Sequence, residues 1–451
     1  MSSLSLPVVT IQHTFPDIIK EVLDGDIPYE NFWISCYKTS EPSVHAKVKA
    51  ELDENNRSLV NFDPAEGEIE FSKDGDGGYA VACKPLGVPR TRVATALQEY
   101  RDEERANASR PHRITAFSIS PDSSRFATGY LDGSIFLYPT STLDRSRTTL
   151  IPDTLDVTKW KTASRPHLSS VTSLKFFPSS RVILSSGQDF SLTILPADLP
   201  DGPTPSATRI APVRTLRGHV RPVTDTAIIG VGRNIVSSSL DATIKLWDVS
   251  SGEAISSLSP QSAILSMSSG NRMPAPPDGE EHPPPAATDP REVPETSSKV
   301  VVCGLQNGEF QFFDLGFKKS VFRSPISQNP SPLTSIAYSE ADNLLATGSA
   351  SGVVTLYDTR SLGSPLTSFS RLETEIEDLA FVRSGTEVAL AIATSDGLPY
   401  VANVLPEGPS VKAELIGVDC DPVRNIAATT SDGRTEVWSA SDDGVVRRYV
   451  I

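Results

Sequence analysis

The chain has 451 residues, of which 38% are hydrophobic and 22% charged, a composition that is ordinary for a globular protein. This length exceeds the ~250–300 residues at which a single hydrophobic core stops growing, so several domains or a ring of repeats is expected. No apolar run reaches the ~18 residues of a membrane-spanning helix, and the N-terminus lacks the pattern of a signal peptide. These features argue against membrane association and against secretion.

The net charge of −15 argues against nucleic acid as a partner, because phosphate binding requires a basic surface. The charge is unevenly distributed: residues 1–110 carry −7, residues 111–340 carry zero, and residues 341–451 carry −8. A partner that is found through charge should therefore be basic and should meet one of the acidic ends.

The four cysteines, Cys36, Cys83, Cys303 and Cys420, lie far apart and have no spacing typical of disulfides or metal ligands. This pattern favours a reducing compartment, the cytoplasm or the nucleus. We expect no metal site.

Internal repetition determines the predicted architecture. Four segments share an interval of 18 residues between the first apolar residue of a strand and a tight turn: Ile114–Asp132, Val171–Asp189, Val223–Asp241 and Leu333–Ser351. One further copy has its first strand near Ile264 and ends at Asn307. Two looser copies run over residues 376–396 and 415–443, the latter with an inserted loop at residues 425–434. Seven such strand sets cannot bury their own faces, which predicts an all-β, seven-bladed propeller closed into a ring.

The segments outside the repeats predict the domain organisation. Residues 1–110 are expected to form an N-terminal β-rich module with a connecting helix at Val93–Arg105, and residues 111–451 the propeller. Residues 270–298 contain eight prolines without an apolar period, and we expect them to be a disordered insertion in blade four. A strand of the N-terminal module is expected to complete the last blade, but the sequence leaves open which one.

The third repeat contains Gly218, His219, Ser237, Asp241 and Trp247, which resemble the WD-repeat signature. In that family the His, Ser, Asp and Trp side chains form a buried hydrogen-bonded chain, because every buried polar atom requires a partner. The second repeat retains three of the four and has Leu195 at the position of the Trp. The resemblance implies a structural tetrad role for His219, Ser237, Asp241 and Trp247, and for His167, Ser185 and Asp189.

The sequence contains no catalytic constellation. Both tetrad histidines occupy signature positions, and Gly230-Val231-Gly232 lacks the Lys-Ser/Thr that follows a phosphate-binding loop. We therefore expect a non-enzymatic binding protein without catalytic residues and without a cofactor.

An acidic segment at residues 373–378 opens the first strand of blade six. Asp378 lies two residues after Ile376, as Asp225 lies two residues after Val223, so the two acids occupy equivalent positions. A solvated strand edge is the simpler interpretation. In WD-repeat propellers, however, this end of the strand lies on the face where most partners dock. The predicted partner-binding residues are Asp225, Glu375, Glu377 and Asp378.

Longer stretches resemble the proteasomal ATPase-associated factor family: Val223–Ile229, Gly232–Asp248, Val418–Val423 and Asp443–Tyr449. Its members are fungal and animal chaperones that help to build the regulatory particle of the proteasome, and they have an N-terminal module before a seven-bladed propeller. The resemblance implies binding to the C-terminal domain of a proteasomal ATPase subunit. An acidic face would suit a basic helical domain of this kind, and we expect the chain to be a monomer.

Two alternatives remain open. WD-repeat substrate receptors of cullin-type ubiquitin ligases carry Trp-Asp-x-Arg at the end of a blade, and residues 357–360 read Tyr-Asp-Thr-Arg. The best-preserved blade ends in Trp247-Asp248-Val249-Ser250 and lacks the Arg. A generic WD-repeat scaffold is the other alternative. Co-purification distinguishes a receptor, which brings a cullin and its adaptor, from a chaperone, which brings ATPase subunits.

Overall fold

The computed structural model describes residues 4–57, 59–66, 68–74, 78–106, 109–142, 151–204, 206–272, 289–326, 329–431 and 434–451. Within these ranges the chain forms 38 β-strands and one α-helix, α1 (Phe15–Asp24). None of the helices in the described ranges is long and apolar enough to cross a membrane.

The strands that precede the first repeat are β1 (Leu4–Ser5), β2 (Val8–Ile11), β3 (Tyr29–Tyr37), β4 (Val44–Leu52), β5 (Val60–Glu66), β6 (Ile69–Asp74), β7 (Gly78–Cys83), β8 (Val88–Thr95) and β9 (Gln98–Arg101). Those of blades one to three and their connections are β10 (Ile114–Ile119), β11 (Arg125–Tyr130), β12 (Ile135–Pro139), β13 (Asp153–Asp156), β14 (Thr162–Ser164), β15 (Val171–Phe176), β16 (Val182–Gly187), β17 (Ser191–Pro196), β18 (Thr208–Arg209), β19 (Arg214–Arg217), β20 (Val223–Ile229), β21 (Asn234–Ser239), β22 (Ile244–Asp248) and β23 (Glu253–Leu258).

The strands of blades four to seven are β24 (Ile264–Asn271), β25 (Lys299–Leu305), β26 (Phe310–Asp314), β27 (Lys319–Arg323), β28 (Leu333–Ser339), β29 (Leu344–Ser349), β30 (Val353–Asp358), β31 (Thr367–Ser370), β32 (Ile376–Ser384), β33 (Glu387–Thr394), β34 (Tyr400–Leu405), β35 (Ser410–Ile416), β36 (Val423–Ser431), β37 (Arg434–Ser441) and β38 (Val445–Val450). Short 3₁₀ helices lie at Thr158–Trp160 and Pro294–Ser298.

Seven sheets, each built on consecutive antiparallel strands, form the ring. Their innermost strands are β10, β15, β20, β24, β28, β32 and β36, and each contacts the next, while β36 contacts β10. The interfaces between blades are filled by buried apolar side chains from both neighbours, such as Val223 and Trp247 of blade three with Leu184 of blade two. The fold is therefore an all-β, seven-bladed propeller, as the sequence predicts.

Each innermost strand begins with the same irregularity. The pairing of every one of these strands with its neighbour shifts register after the first residue, so that each strand has a β-bulge at its start. Blade seven shows this bulge at Val423, whereas Leu415 belongs to β35 of blade six. The predicted start of the seventh repeat and its inserted loop at residues 425–434 were wrong, because this segment forms the hairpin of β36 and β37.

The N-terminal region makes its own sheet and also extends the propeller. Strands β2–β5 form a sheet whose apolar face packs on α1 through residues such as Phe15 and Phe32. Strand β8 pairs in parallel with β35 and thereby adds β8, β7 and β6 to blade six. Strand β1 pairs in parallel with β31 of blade five.

Strand β9 closes the ring, because it pairs with β38 as the outer strand of blade seven. Residues 98–101, which the sequence places in the N-terminal module, thus belong to a propeller blade. The connecting helix predicted at Val93–Arg105 was wrong, because this segment forms the strands β8 and β9. Its apolar spacing fits a helix, but the open edges of β35 and β38 supply backbone hydrogen bonds to an extended chain, and tertiary pairing overrides local preference.

Buried ion pairs hold β9 in blade seven. Arg447 of β38 donates from Nε to Glu99 at 3.1 Å and from Nη2 to Asp443 at 2.6 Å. The neighbouring Arg448 donates to Glu436 at 2.6 Å and to the Gln98 side chain at 3.0 Å. Both arginine side chains are buried, so these contacts satisfy charges that would otherwise lack partners.

The proline-rich insertion predicted at residues 270–298 is ordered at both ends. Arg272 donates to both carboxylate oxygens of Asp314, and the buried amide of Asn234 bonds the backbone of Arg291 and Val293. The expectation of disorder was therefore wrong for residues 270–272 and 289–298, because their polar groups find partners in blades three and four. Residues 273–288 lie outside the described residues.

Candidate functional site

The innermost strands all begin on one face of the ring, which we call the upper face. The loop before blade three brings His219 to this face, where its ring binds Ser237 Oγ at 2.7 Å through Nε2 and Asp241 at 2.9 Å through Nδ1. Trp247 Nε1 donates to the same Ser237 hydroxyl at 2.8 Å. The four side chains form one buried chain of hydrogen bonds that ties the loop to the blade.

Blade two contains the same arrangement without the indole. His167 binds Ser185 Oγ at 2.9 Å and Asp189 at 3.0 Å, and Leu195 occupies the position of the Trp. Burial lowers the pKa of His167 and of His219, which favours the neutral ring, although the paired aspartate opposes this effect. Both histidines are held between two partners, as a structural role requires.

The residue that follows the bulge of each innermost strand lies at the central channel. These residues form a ring of seven equivalent positions around the channel mouth at the upper face. They enclose part of a cavity of about 250 Å³ to which all seven innermost strands contribute. The seven positions are Ala116, Ser173, Asp225, Ser266, Ser335, Asp378 and Asn425.

Asp225 and Asp378, predicted to be partner-binding residues, are also hydrogen-bonded to neighbouring blades. Ser173 of blade two donates to Asp225 at 2.8 Å, and the backbone N–H of Ile426 in blade seven donates to Asp378 at 3.0 Å. Burial raises the pKa of Asp378 to about 6, and the negative charge of Asp225 adds to this effect. Both acids are less exposed than a surface patch would require.

The other two predicted acids differ from each other. Glu377 is nearly buried and paired with Arg424 of blade seven, and burial raises its pKa to about 7 with a further contribution from Glu375. Glu375 is half-buried at the upper rim. Three of the four predicted acids, Asp225, Glu377 and Asp378, therefore line the cavity at the channel mouth, and Glu375 lies beside them on blade six.

Two basic residues that the sequence did not predict as functional lie at this mouth. Lys175 Nζ lies 3.9 Å from Asp225, and Arg424 binds both Glu377 and Asp442. Glu377 and Arg424 hold the same position in blades six and seven, directly after the first residue of the strand. Correct alignment of the seventh repeat would have predicted their contact.

The loops of blades six and seven add further carboxylates to the upper face. Asp419 is 70% exposed and lies 3.7 Å from the His13 ring. Burial raises the pKa of Asp421, and its neighbours Asp443, Asp442 and Asp419 raise it further. The carboxylates of these loops thus outnumber the basic side chains beside them, and the surface carries a net negative charge. We call this surface the acidic sector; it comprises Glu373, Glu375, Asp396, Asp419 and Asp421.

The Tyr-Asp-Thr-Arg segment at residues 357–360, which resembles the motif of ligase receptors, lies in blade five. Arg360 lies between β30 and β31 of blade five, and its guanidinium folds back onto Asp358 with contacts of 2.9 and 2.6 Å. Tyr357 occupies the position that a Trp would hold. Across the described ranges, no group of three or more His, Cys, Asp or Glu residues is arranged to hold a metal ion.

Comparison with known proteins agrees with this architecture. The model of the WD domain, G-beta repeat, matches residues 107–138, 160–194, 210–248 and 321–358. These four segments contain the four repeats that share the 18-residue interval.

Two relatives are similar to parts of the chain. The 26S proteasome regulatory subunit RPN14 of Saccharomyces cerevisiae is 29% identical over 261 residues, which are 55% of this chain and 57% of that protein. Protein hir1 of Schizosaccharomyces pombe is 30% identical over 150 residues, which are 31% of this chain and 16% of that protein. The chain thus spans little more than half of the first relative and a small part of the second. The chain is a seven-bladed propeller in which four segments match the WD repeat, and it is similar, over about half of its length, to a protein named as a proteasome regulatory subunit.

Proposed function

We propose that this chain is an assembly chaperone that binds the C-terminal domain of a proteasomal ATPase subunit through the acidic sector and the channel mouth. The observation that carries the proposal is the similarity to a proteasome regulatory subunit over 261 residues. The concentration of carboxylates on the upper face of blades six and seven supports it, because a basic helical domain would be attracted to such a surface.

The acidic sector and the channel mouth contribute to binding in different ways. Glu373 and Asp419 are exposed and reach outward, so they attract basic side chains at a distance. Asp225 and Asp378 lie within the channel, where a lysine or arginine that enters the mouth loses water and interacts more strongly. Exposed pairs contribute only ~0.2–1 kcal/mol each, so the whole surface is needed for affinity.

The test is a titration of each ATPase C-terminal domain against the wild-type chain and a Glu373→Lys/Glu375→Lys variant. Reversal of two rim charges should weaken binding about tenfold or more, because like charges then face each other. Binding should also weaken as salt rises, since exposed charges are screened over ~10 Å at 0.1 M.

The pKa values of Glu377 and Asp378, about 7 and about 6, predict weaker binding as the pH falls through these values, because the mouth then loses negative charge.

The matched control is Glu407→Lys, which reverses an exposed glutamate on the opposite face of blade six, between β34 and β35. It should bind like the wild type. Equal binding by the folded double variant and the wild type, or binding that is indifferent to salt, would exclude the acidic sector. Failure of all six ATPase domains to bind would exclude the proposed function.

A further inference from the structure

A second surface lies on the upper face over blades one to three. Four large apolar side chains protrude there from loops between strands, and Leu168 is 87% exposed and Val220 76%. Leu131 and Phe190, in the turns between the second and third strands of blades one and two, are also exposed. Large apolar groups gathered on one exposed surface are typical of a place where another protein binds.

The backbone fixes the two most exposed of these side chains. Leu168 and Val220 each follow a tetrad histidine, and their N–H groups donate to Asp189 and Asp241, both at 3.1 Å. The tetrads thus hold these loops rigid and turn the following side chain outward. The fold does not require an apolar residue there, because the equivalent positions of the other blades are Pro111, Gln261, Pro330, Glu373 and Cys420.

The loops that carry the four side chains adjoin each other. Arg165 Nε donates to the Asp132 carbonyl at 2.9 Å, which holds the turn of Leu131 against the loop of Leu168. Ser191, directly after Phe190, pairs with Arg217 in the outer strand of blade two, three residues before Val220. The side chains therefore share one continuous surface.

The charge of this surface is opposite to that of the acidic sector. Arg165, Arg217 and Arg221 are exposed beside the apolar side chains. The carboxylates of Asp189 and Asp241 are buried in the tetrads and do not neutralise them. We call this surface the basic–apolar patch; it comprises Leu131, Arg165, Leu168, Phe190, Arg217, Val220 and Arg221.

We propose that the basic–apolar patch docks an acidic protein segment that carries apolar side chains. The arginines complement its carboxylates, and the rigid apolar side chains bury against its apolar groups. A protein fits better than a nucleic acid, because three of the four apolar side chains are aliphatic and cannot stack on bases, and the net charge of −15 opposes a polyanion. This inference goes beyond the binding of an ATPase domain, because it concerns different blades and a partner of opposite charge.

The test uses the full chain and a fluorescein-labelled peptide of about 15 residues that alternates glutamate pairs with leucine pairs, a length that permits a helix. Fluorescence polarisation should show binding of this peptide and not of a lysine–leucine peptide of the same length. The variants Arg217→Glu/Arg221→Glu and Leu168→Ser/Val220→Ser should each weaken binding about tenfold or more. The control is Val231→Ser, which changes a valine that is 82% exposed in the lower-face turn of blade three, and it should leave binding unchanged.

Three results would overturn the proposal: no binding of the acidic peptide, equal weakening by Val231→Ser, or tighter binding of a labelled single-stranded oligonucleotide. Thermal unfolding followed by circular dichroism verifies that each variant is folded. Titration of the Leu168→Ser/Val220→Ser variant with the ATPase domains should give wild-type affinity. Failure of the acidic peptide to bind can thus be distinguished from failure of the ATPase proposal.

Discussion

Blades three and seven of the same ring are held together by different chemistry. In blade three the neutral His219 ring and the Trp247 indole share the Ser237 hydroxyl, and Asp241 completes the chain, all within 29 residues of sequence. In blade seven the buried guanidinium of Arg447 joins Asp443 to Glu99, which is 348 residues away in sequence. Blade three is fixed by contacts within its own sequence, whereas blade seven is fixed by the strand that closes the ring.

This difference between blades three and seven shows that the stability of blade seven depends on both ends of the chain. A local tetrad can form as soon as its own blade folds. The contact of Arg447 with Asp443 is local to the last hairpin, but its contact with Glu99 forms only when β9 has paired with β38, so this part of the network requires the ring to close. A buried ion pair adds little relative to an apolar pair, but the loss of one partner costs much. We therefore expect blade seven to be more sensitive to substitution than blade three.

The largest effect is expected from Arg447→Ala. This change removes the buried cation that joins Glu99 to Asp443 and leaves Glu99 with only the partly exposed Arg101 as a cationic partner, which should lower the free energy of unfolding by about 3–5 kcal/mol. Chemical denaturation measures the loss. The matched control is Arg360→Ala, which removes an exposed arginine paired with Asp358 and should cost less than about 1 kcal/mol. Equal losses in the two variants would show that the buried network does not hold the ring closed.

A smaller effect is expected from Asp241→Ala in blade three. The loss of this carboxylate leaves the His219 ring and the N–H of Val220 without their acceptor, which should cost ~1–3 kcal/mol. Denaturation midpoints again report the change. Ser351→Ala alters the equivalent turn of blade five, which has no tetrad, and serves as the control with little expected loss. An unchanged midpoint in Asp241→Ala would contradict a structural role for the tetrad.

The smallest effect is expected from replacing residues 273–288 by a short Gly–Ser linker. Most of the prolines of the insertion lie in this stretch, so the melting temperature should change little. Deletion of residues 270–298 should be clearly more destabilising, because it removes the contacts of Arg272 with Asp314 and those of the Asn234 side chain. If both deletions have the same effect, the ordered ends of the insertion do not stabilise blades three and four.

The sequence predicts the parts of the fold whose signals are local. The 18-residue intervals and the signature around His219 identify the ring and its best blades. The signature positions lie where the hydrogen bonds of the tetrads form. The helix α1 was not predicted, because it has only 10 residues. Its buried residues nevertheless follow helical spacing: Phe15, Ile18, Ile19 and Val22.

The parts that the sequence does not predict depend on contacts between distant segments. Strand β9 is only four residues long, and its role becomes visible only through its pairing with β38. Arg447 lies in a strand whose charges suggest a solvated edge, yet the closing strand buries it. The equivalence of Asp225 and Asp378 could be predicted from spacing. Their contacts with Ser173 and Ile426 could not, because these cross between blades.

Hydrogen exchange of the chain with and without an ATPase C-terminal domain tests the central claim most directly. The claim is that the upper face of blades six and seven receives this domain. Binding should slow amide exchange in the upper loops at residues 371–376, 394–399 and 417–423, and leave the lower turns at residues 229–233 and 405–410 unchanged. Protection confined to the lower turns or to the sheet of β2–β5 would contradict the claim.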